Sequence, residues 1–503
     1  MQSKFEKYLD RGLELQQAND LEAAEKQYLR ALKLEKRHPE VLHRLGTVNV
    51  QMRRYPEAVT YFERAIAAEA RALPSLHNLA IVYQGLGRDD DAIAAHQKIL
   101  TLQPDSAETY GHLARLYEER NRVDEAQDYV TTGLTLDGFN PMLNLIAVRL
   151  DRRAKRYEDG LNRLTQMIDP IDRTGPLRKK FLFEQGRLLD LTGDYPGAFQ
   201  AFTQANKISA GSAMASTTEG TQYAARIDAI QAAFTADVIA GWEPRSPDYT
   251  GDNLVFLVGF PRSGTTLLDN ILASHPKVAT LSELPAVQTM INALHGLPGG
   301  YPDCLTSISE KQIAAAQKAY FDALAEENIP DGVLIVDKLP LNLIYGAALA
   351  RIFPDAKFIL ALRHPCDACL SCLMQDFEPN DAMANFFTID DTVDLYDKVM
   401  KLWLHYQEIL PLQVHRNRYE DVVADFDPTV KSLLAFLGLD WMVEVKQFDK
   451  TARDRSHIRT PSYDQVSRPI YTEARYRWTH YEDQLAGAAA RLKPFIEEFG
   501  YGE

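Results

Sequence analysis

Small and apolar positions recur with a period of 34 along the first two hundred residues of the chain. The small positions are Ala24, Ala58, Ala92, Ala126 and Gly160. Each lies in an amphipathic frame such as LEAAEKQYLRAL, and a second frame about a dozen residues upstream carries a large–small pair such as Leu45 and Gly46. Apolar residues follow helical spacing in both frames. The pattern therefore predicts one pair of closely packed helices in each repeat.

These frames resemble the tetratricopeptide repeat family over roughly residues 5–210, with about six repeats. The last copy, GDYPGAFQAFTQANKI, places Ala198 four residues late and implies an insertion near Pro170 to Pro176. The resemblance implies an all-α solenoid over residues 1–210 whose concave surface binds a peptide or protein partner. A scaffold or dimerisation arm without a specific ligand is the alternative that the repeats leave open.

A different architecture is predicted after the repeats. Residues 211–250 read as a hinge followed by a linker helix. Beyond them, Leu254 to Gly259 and Lys357 to Leu362 are short apolar runs of strand length, and each is followed by a helical pattern. Residues 251–503 are therefore predicted to form an α/β domain with a central parallel sheet and a P-loop-like site.

A phosphate-binding loop is indicated directly after the first of these strands. Residues 259–266 follow the spacing G-x-x-x-x-G-T-T, in which backbone N–H groups at a helix start converge on an anion. Thr265 stands where nucleoside triphosphatases carry a lysine for the β- and γ-phosphates. The loop therefore argues against a P-loop kinase or ATPase. The alternative is a degenerate loop that binds no ligand. The candidate nucleotide-binding residues are Arg262, Ser263, Gly264, Thr265 and Thr266.

The string PRSGTT resembles the 5′-phosphosulfate loop of PAPS-dependent sulfotransferases, and its arginine, Arg262, resembles the tyrosylprotein sulfotransferases. Arg363, at the end of the second strand, and Ser371 match the family's 3′-phosphate site in type and order. An arginine and a hydroxyl make a suitable site for a dianion. Tyr419, in RYEDVV, resembles the tyrosine that approaches the nucleotide. Arg477, at a position where the tyrosylprotein branch usually has lysine, is also predicted by the resemblance to bind the nucleotide.

The same resemblance implies catalytic roles. Glu283 lies where the family holds its catalytic base, and Lys338, Arg262 and Ser462 would stabilise charge on the sulfuryl and leaving phosphate oxygens. The implied reaction is an in-line attack by an acceptor hydroxyl on the sulfur of PAPS, which leaves PAP and requires no metal.

The acceptor is the least constrained part of this prediction. A tyrosine of a protein or peptide is the first candidate, although Pro285 replaces an arginine of the tyrosylprotein enzymes. A carbohydrate or small-molecule hydroxyl is the alternative, and a repeat-based adaptor with an inactive nucleotide domain is a third interpretation. The basic loop 453–468 is either a solvated loop or a rim that favours acidic acceptors.

Composition narrows the class of protein further. The net charge of −15 argues against a nucleic-acid binder and against a protein that coats anionic membranes. The first residues lack the apolar core of a signal peptide, so a cytoplasmic protein without a membrane anchor is expected. Cys366, Cys369 and Cys372 lie three apart without further metal ligands and are predicted to be reduced thiols along one helix. A homodimer is left open.

Overall fold

The computed structural model of the chain describes residues 3–69, 71–168, 175–212, 214–242, 253–450 and 474–502. The chain divides into two compact units, Met1–Arg173 and Thr174–Glu503. Each unit has a hydrophobic core of its own.

The described residues of the first unit form helices that pack as consecutive pairs. Ala24, Ala58, Ala92 and Ala126, the small positions of the 34-residue period, are completely buried. The predicted helical repeat is therefore confirmed. The helices are α1 (Lys4–Gln17), α2 (Leu21–Leu34), α3 (Pro39–Gln51), α4 (Tyr55–Ala68), α5 (Leu73–Gly85), α6 (Asp89–Leu102), α7 (Ala107–Glu119), α8 (Val123–Leu136), α9 (Pro141–Arg153) and α10 (Tyr157–Ile168).

The turn between the two helices of each pair has the same backbone conformation in all five pairs. The residue that follows the turn position donates its N–H to a carbonyl of the first helix, as Asp20 does to the Leu15 carbonyl at 2.9 Å. This bond satisfies a carbonyl that the helix end would otherwise leave without a partner. The residue at the turn has a positive φ near 60–70° in all five pairs: Asn19, Arg53, Gly87, Asn121 and Lys155.

Glycine faces an aromatic ring in the first two pairs. A Cβ built on Gly12 would lie 2.4 Å from the Tyr28 ring, and one built on Gly46 would lie 2.5 Å from the Phe62 ring. Both rings are fully buried. The missing side chain therefore makes the space that each ring fills, which is the close approach that the large–small pair predicted.

The second unit begins with a further helical pair rather than with the sheet. Its first helices are α11 (Pro176–Thr192), α12 (Tyr195–Ala210), α13 (Gly220–Ala233) and α14 (Ala236–Ala240). The repeat pattern assigned the first two of these to the solenoid of residues 1–210. Their contacts instead group them with the second unit, because α12 packs against helix and loop segments of the α/β region.

The centre of the second unit is a five-stranded, wholly parallel sheet with the order β2-β3-β1-β4-β5. The predicted central parallel sheet is thus confirmed. The chain moves to one side of β1 for β2 and β3 and to the other side for β4 and β5, so the carboxyl end of β1 is the switch point where open α/β sheets bind ligands. The strands are β1 (Leu254–Gly259), β2 (Val278–Ser282), β3 (Leu334–Lys338), β4 (Lys357–Leu362) and β5 (Gln413–Arg418).

Helices cover the sheet. The three clustered cysteines lie along one of them, α19, as predicted, and all are buried and free. Within the described part of the chain, no helix is both long and apolar enough to cross a membrane. The helices are α15 (Thr265–Ala273), α16 (Ala286–His295), α17 (Glu310–Asp322), α18 (Gly346–Ile352), α19 (Pro365–Leu373), α20 (Ile389–Ile409), α21 (Tyr419–Ala424), α22 (Phe426–Leu437) and α23 (Glu482–Glu498).

Candidate active site

The carboxyl end of every strand carries one of the candidate residues. They end a strand or follow it within three positions, and in the order of the sheet they are Glu283, Lys338, Arg262, Arg363 and Tyr419. Because parallel strands end at the same edge, residues that are far apart in the sequence share one rim of the sheet.

The loop after β1 has the backbone of an anion cradle. Arg262 and Gly264 have positive φ angles of 69° and 88°, and α15 begins directly afterwards, at Thr265. The first N–H groups of a helix have no carbonyl partner within it and attract anions. Glycine is needed at position 264 for a second reason, because a Cβ there would lie 3.0 Å from Cδ2 of Tyr419. Ser263, Thr265 and Thr266 are buried.

Two arginines and a serine meet beside this loop. The Nε of Arg262 donates to Ser371 Oγ at 3.1 Å, although the residues are 109 positions apart. Arg363 donates from Nη1 to the Arg262 carbonyl at 3.3 Å. Its guanidinium carbon also lies 5.2 Å from the centre of the Tyr419 ring. The structure thus brings these four predicted residues together, and two guanidinium groups in one place favour a multiply charged anion.

Glu283 and Lys338 are joined at the ends of β2 and β3. Lys338 Nζ donates to Glu283 Oε1 at 2.7 Å. The lysine side chain is 0% exposed and the glutamate side chain is 35% exposed. The Glu283 N–H donates to the Lys338 carbonyl at 2.8 Å. Glu283 also has a positive φ of 59°, an uncommon conformation for a residue other than glycine, and such conformations concentrate at functional sites. The pair therefore presents a carboxylate to solvent with a fully buried cation behind it.

Buried carboxylates that the sequence analysis did not single out support the rim. Asp269 on α15 accepts from Ser282 Oγ at 2.8 Å. Glu420 accepts from the His364 N–H at 3.0 Å and from the Tyr501 hydroxyl at 2.8 Å. Glu420 stands in the first turn of a helix directly after a strand. That position is a signal that sequence reasoning could have used, because carboxylates are favoured at helix starts.

Burial decides the charge of several neighbouring groups. It lowers the pKa of His364 to about 4, and the nearby Arg363 charge contributes in the same direction, so this imidazole is neutral at pH 7. Burial raises the pKa of the Cys366 and Cys372 thiols to about 12, which leaves them protonated. These groups accordingly belong to the packing of the rim.

One predicted nucleotide-binding residue, Arg477, has its described hydrogen bonds away from this cluster. Arg477 forms a two-pronged ion pair with Asp190 on α11, with its Nε 3.0 Å from Asp190 Oδ1. The described contacts of Arg477 therefore lead to a helix and not to the phosphate loop, and its role in nucleotide binding stays a prediction. Ser462 and the basic loop 453–468 lie outside the described residues.

Comparison with known proteins identifies the two regions. Residues 254–442 match the family model described as Sulfotransferase family. Residues 37–104 and 71–137 match the model described as Tetratricopeptide repeat. The first match begins at β1 and ends after α22, so it covers every strand of the sheet.

Individual relatives are distant. The chain is 27% identical over 312 residues to an uncharacterized protein of Aquifex aeolicus (strain VF5), covering 59% of this chain and 39% of the relative. It is 26% identical over 267 residues to protein-tyrosine sulfotransferase 2 of Gallus gallus, covering 49% of this chain and 69% of that protein. For the protein-tyrosine sulfotransferase of Drosophila melanogaster, the identity is 22% over 268 residues, covering 49% and 51%.

The chain thus spans from 39% to 69% of the length of these relatives. The two family matches agree with the two architectures seen in the structure, a helical repeat and a parallel α/β sheet. The chain therefore contains a tetratricopeptide repeat region followed by a domain of the sulfotransferase family.

Proposed function

We propose that this chain transfers the sulfuryl group of PAPS to an acceptor hydroxyl, most readily a tyrosine of a protein or peptide. The observation that carries the proposal is the Glu283–Lys338 pair, which lies on the same rim as the phosphate loop. A carboxylate, a buried cation and an anion cradle are the groups that transfer of a charged group to a hydroxyl requires.

The nucleotide side of the rim fits PAPS better than ATP. The loop from Arg262 to Thr266 would hold the 5′-phosphosulfate, and Arg363 with Ser371 would hold the 3′-phosphate that ATP lacks. The contact between Arg262 and Ser371 supports one continuous anion site for both groups. Thr265 at the position of the triphosphatase lysine leaves no cation there for a γ-phosphate.

The reaction would be a single displacement. The acceptor oxygen forms a bond to sulfur while the bond between sulfur and the bridging phosphate oxygen breaks, and that oxygen keeps the electron pair. Glu283 takes the hydroxyl proton, and Lys338 and Arg262 stabilise the negative charge on the departing PAP. A phenol has a pKa near 10, so a positioned carboxylate assists as the bond forms.

A protein acceptor is supported by two independent facts. Distant relatives of the chain include protein-tyrosine sulfotransferases, and tetratricopeptide repeats commonly engage other proteins. Pro285, where those enzymes carry arginine, keeps a carbohydrate or small-molecule hydroxyl as the second candidate. An inactive adaptor is disfavoured, because a domain without catalysis has no chemical reason to keep Glu283 beside a buried lysine.

The test uses labelled PAPS with three acceptor sets: tyrosine peptides with acidic or neutral flanks, oligosaccharides, and small phenols or alcohols. Transfer to the peptides supports the proposal. Transfer only to the other sets moves the function to the second candidate, and no transfer to any acceptor contradicts the enzyme assignment.

The nucleotide is tested by binding of PAP and of AMP, which lacks the 3′-phosphate. Arg363→Ala should weaken PAP binding by about 1.5–3 kcal/mol, the usual contribution of a charge-assisted hydrogen bond, and change AMP binding little. Arg416→Ala is the matched control, because Arg416 lies on β5 and pairs with Glu498 at the surface. Equal losses for both nucleotides would remove Arg363 from the 3′-phosphate site.

A further inference from the structure

Asp190, on α11, is a buried carboxylate that gathers donors from a distant segment of the second unit. The Arg477 guanidinium binds both of its oxygens, and the Tyr481 hydroxyl donates to Oδ1 at 2.5 Å. Arg477 and Tyr481 are the ends of a 3₁₀ helix, Arg477–Tyr481. One carboxylate therefore fixes both ends of this short element.

The same segment touches the candidate 3′-phosphate site. The carbonyl of Ala474 accepts a hydrogen bond from Arg363 Nη2 at 2.6 Å. The Trp478 N–H donates to Asp367 Oδ1 at 2.8 Å, and the Trp478 indole stacks on the His364 ring at a centroid distance of 4.8 Å. Three residues between the end of β4 and the first turn of α19, Arg363, His364 and Asp367, thus contact residues 474–478.

The pair α11–α12 holds the other end of α19 as well. Asn206, on α12, donates to the carbonyl of Leu373, the last residue of α19, at 2.7 Å. Lys179, on α11, lies 2.8 Å from Asp376 just beyond that helix. Because Ser371 lies in the last turn of α19, the helical pair supports both ends of the element that carries it.

We propose that Asp190 is a positioning residue for the nucleotide's 3′-phosphate. By anchoring Arg477 and Tyr481, Asp190 holds the Ala474 carbonyl in place, and that carbonyl orients the Arg363 guanidinium. The proposal rests on the proposed function, because it assigns Arg363 to the 3′-phosphate of PAPS. It reaches beyond that function, because Asp190 and its partners lie outside the residues that match the sulfotransferase family.

The proposal predicts that Asp190 affects binding of the 3′-phosphate and does not affect the sulfuryl-transfer step. Glu283 directly follows β2 and Lys338 ends β3, whereas Arg363 follows β4, and β1 lies between β3 and β4. A displaced Arg363 would consequently affect recognition of the 3′-phosphate and leave the base and its lysine in place. A binding site of this kind requires its supporting residues to hold the binding side chain, here Arg363, in place to within a fraction of an ångström.

The experiment measures the ratio of the AMP and PAP dissociation constants by calorimetry in the full chain, together with kcat at saturating PAPS. Asp190→Asn removes the charge that Arg477 faces. Tyr481→Phe removes only the hydroxyl donor and keeps the ring, which packs edge-on to Tyr195, so it covers the case in which Asp190→Asn does not fold.

A third variant controls for destabilisation of the helical pair. Gly186→Ala, on the same helix, would place a Cβ 2.7 Å from the Phe202 ring and disturb the packing of α11 on α12 without touching the donors of Asp190. We expect the ratio of the AMP to the PAP dissociation constant to fall about tenfold in Asp190→Asn, because weakening one charge-assisted hydrogen bond to a neutral one has about this effect. The ratio should fall less in Tyr481→Phe. It should stay unchanged in Gly186→Ala, and kcat should remain within about twofold in all three, since only binding is altered.

The possible results are distinguishable. If the unaltered chain does not prefer PAP to AMP, the proposed nucleotide is wrong, whatever the variants do. If the unaltered chain discriminates and neither Asp190→Asn nor Tyr481→Phe reduces the ratio, Asp190 has no part in positioning. An equal loss in Gly186→Ala would also overturn the proposal, because general destabilisation would then explain the effect.

Discussion

Lys338 and Glu283 exchange two hydrogen bonds across 55 positions of sequence, one between their side chains and one from the Glu283 N–H to the Lys338 carbonyl. The backbone bond fixes the carboxylate relative to the end of β3, and the ammonium lies entirely beneath it. The pair is therefore set by the strand pairing of β2 with β3 and does not depend on a flexible loop.

Glu283→Gln tests the base. The amide oxygen can still accept the bond from Lys338, so the fold and PAP affinity should change little. Turnover should fall at least about 100-fold, the usual contribution of a general base. Steady-state rates and PAP calorimetry make the measurement, with the exposed Glu444→Gln as control. Turnover near that of the unaltered chain would exclude Glu283 as the base.

Gly264→Ala tests the phosphate loop. The variant combines a left-handed backbone, which costs an alanine about 1–2 kcal/mol, with a contact at 3.0 Å to Tyr419. We expect PAP affinity to drop about tenfold or more as the loop shifts. Gly438→Ala is the matched control, because Gly438 also has a positive φ but open space around its Cβ. Both variants should lose thermal stability, and a loss of affinity in both would contradict the specific role of Gly264.

Gly46→Ala tests the fit between glycine and ring in the repeats. Alanine normally stabilises a helix relative to glycine by about 1 kcal/mol, but here its Cβ would lie 2.5 Å from Phe62. We expect destabilisation of about 1–3 kcal/mol, the cost of overpacking. Gly85→Ala, where a Cβ meets nothing within 4 Å, should be neutral or stabilising.

Adding Phe62→Leu to Gly46→Ala provides the space for the new methyl group. The double variant should therefore lose less stability in urea unfolding than the sum of its two single changes. Additive losses would show that the ring and the glycine do not share one space.

Asp337 predicts a pH dependence of stability. Burial raises its pKa to about 7, whereas the Tyr320 hydroxyl that donates to it at 2.9 Å and the Lys338 charge both lower it. The folded state thus holds a proton that the unfolded chain releases near pH 4. Stability from this group is complete below about pH 4, declines as the pH rises, and is lost above about pH 7.

Asp337→Asn keeps an acceptor for Tyr320 and removes the titration. Its melting temperature should exceed that of the unaltered chain at pH 8, and the difference should shrink towards pH 5. Thermal unfolding over this range provides the measurement. An unaltered chain whose stability does not fall between pH 4 and pH 7, relative to the variant, would rule out a raised pKa.

Periodic and local features were predictable from the sequence. Buried alanines at a spacing of 34 and apolar runs ending in glycine or arginine reflect helix packing and strand burial, which act within a few residues. The partner of Arg477 was not predictable in this way. Asp190 lies 287 positions away, and a guanidinium pairs with whichever carboxylate the tertiary fold brings to it, so a match to a family motif did not reveal the contact.

The contacts of the two helices before the predicted boundary near residue 210 were not predictable for a related reason. The sixth repeat keeps the sequence frame of the others, with Ala198 buried in it, but the partners of its outer surface are long-range. Lys179, Asn206 and Asp190 all bind the α/β region. The repeat pattern in the sequence predicts how the two helices of one pair pack together. It does not predict which other part of the fold the pair contacts.

The position of α11 and α12 has a practical consequence for dividing the chain. A fragment cut at residue 254, where the family similarity starts, would leave the Arg477 guanidinium without its ion-pair partner Asp190 and the Leu373 carbonyl without its donor. Removing one partner of a largely buried ion pair is destabilising. A cut before Pro176, at the edge of the first compact unit, keeps these partners together. The stable unit around the sheet is thus larger than the family match, because α11 and α12 supply partners to α19 and to the segment 474–481.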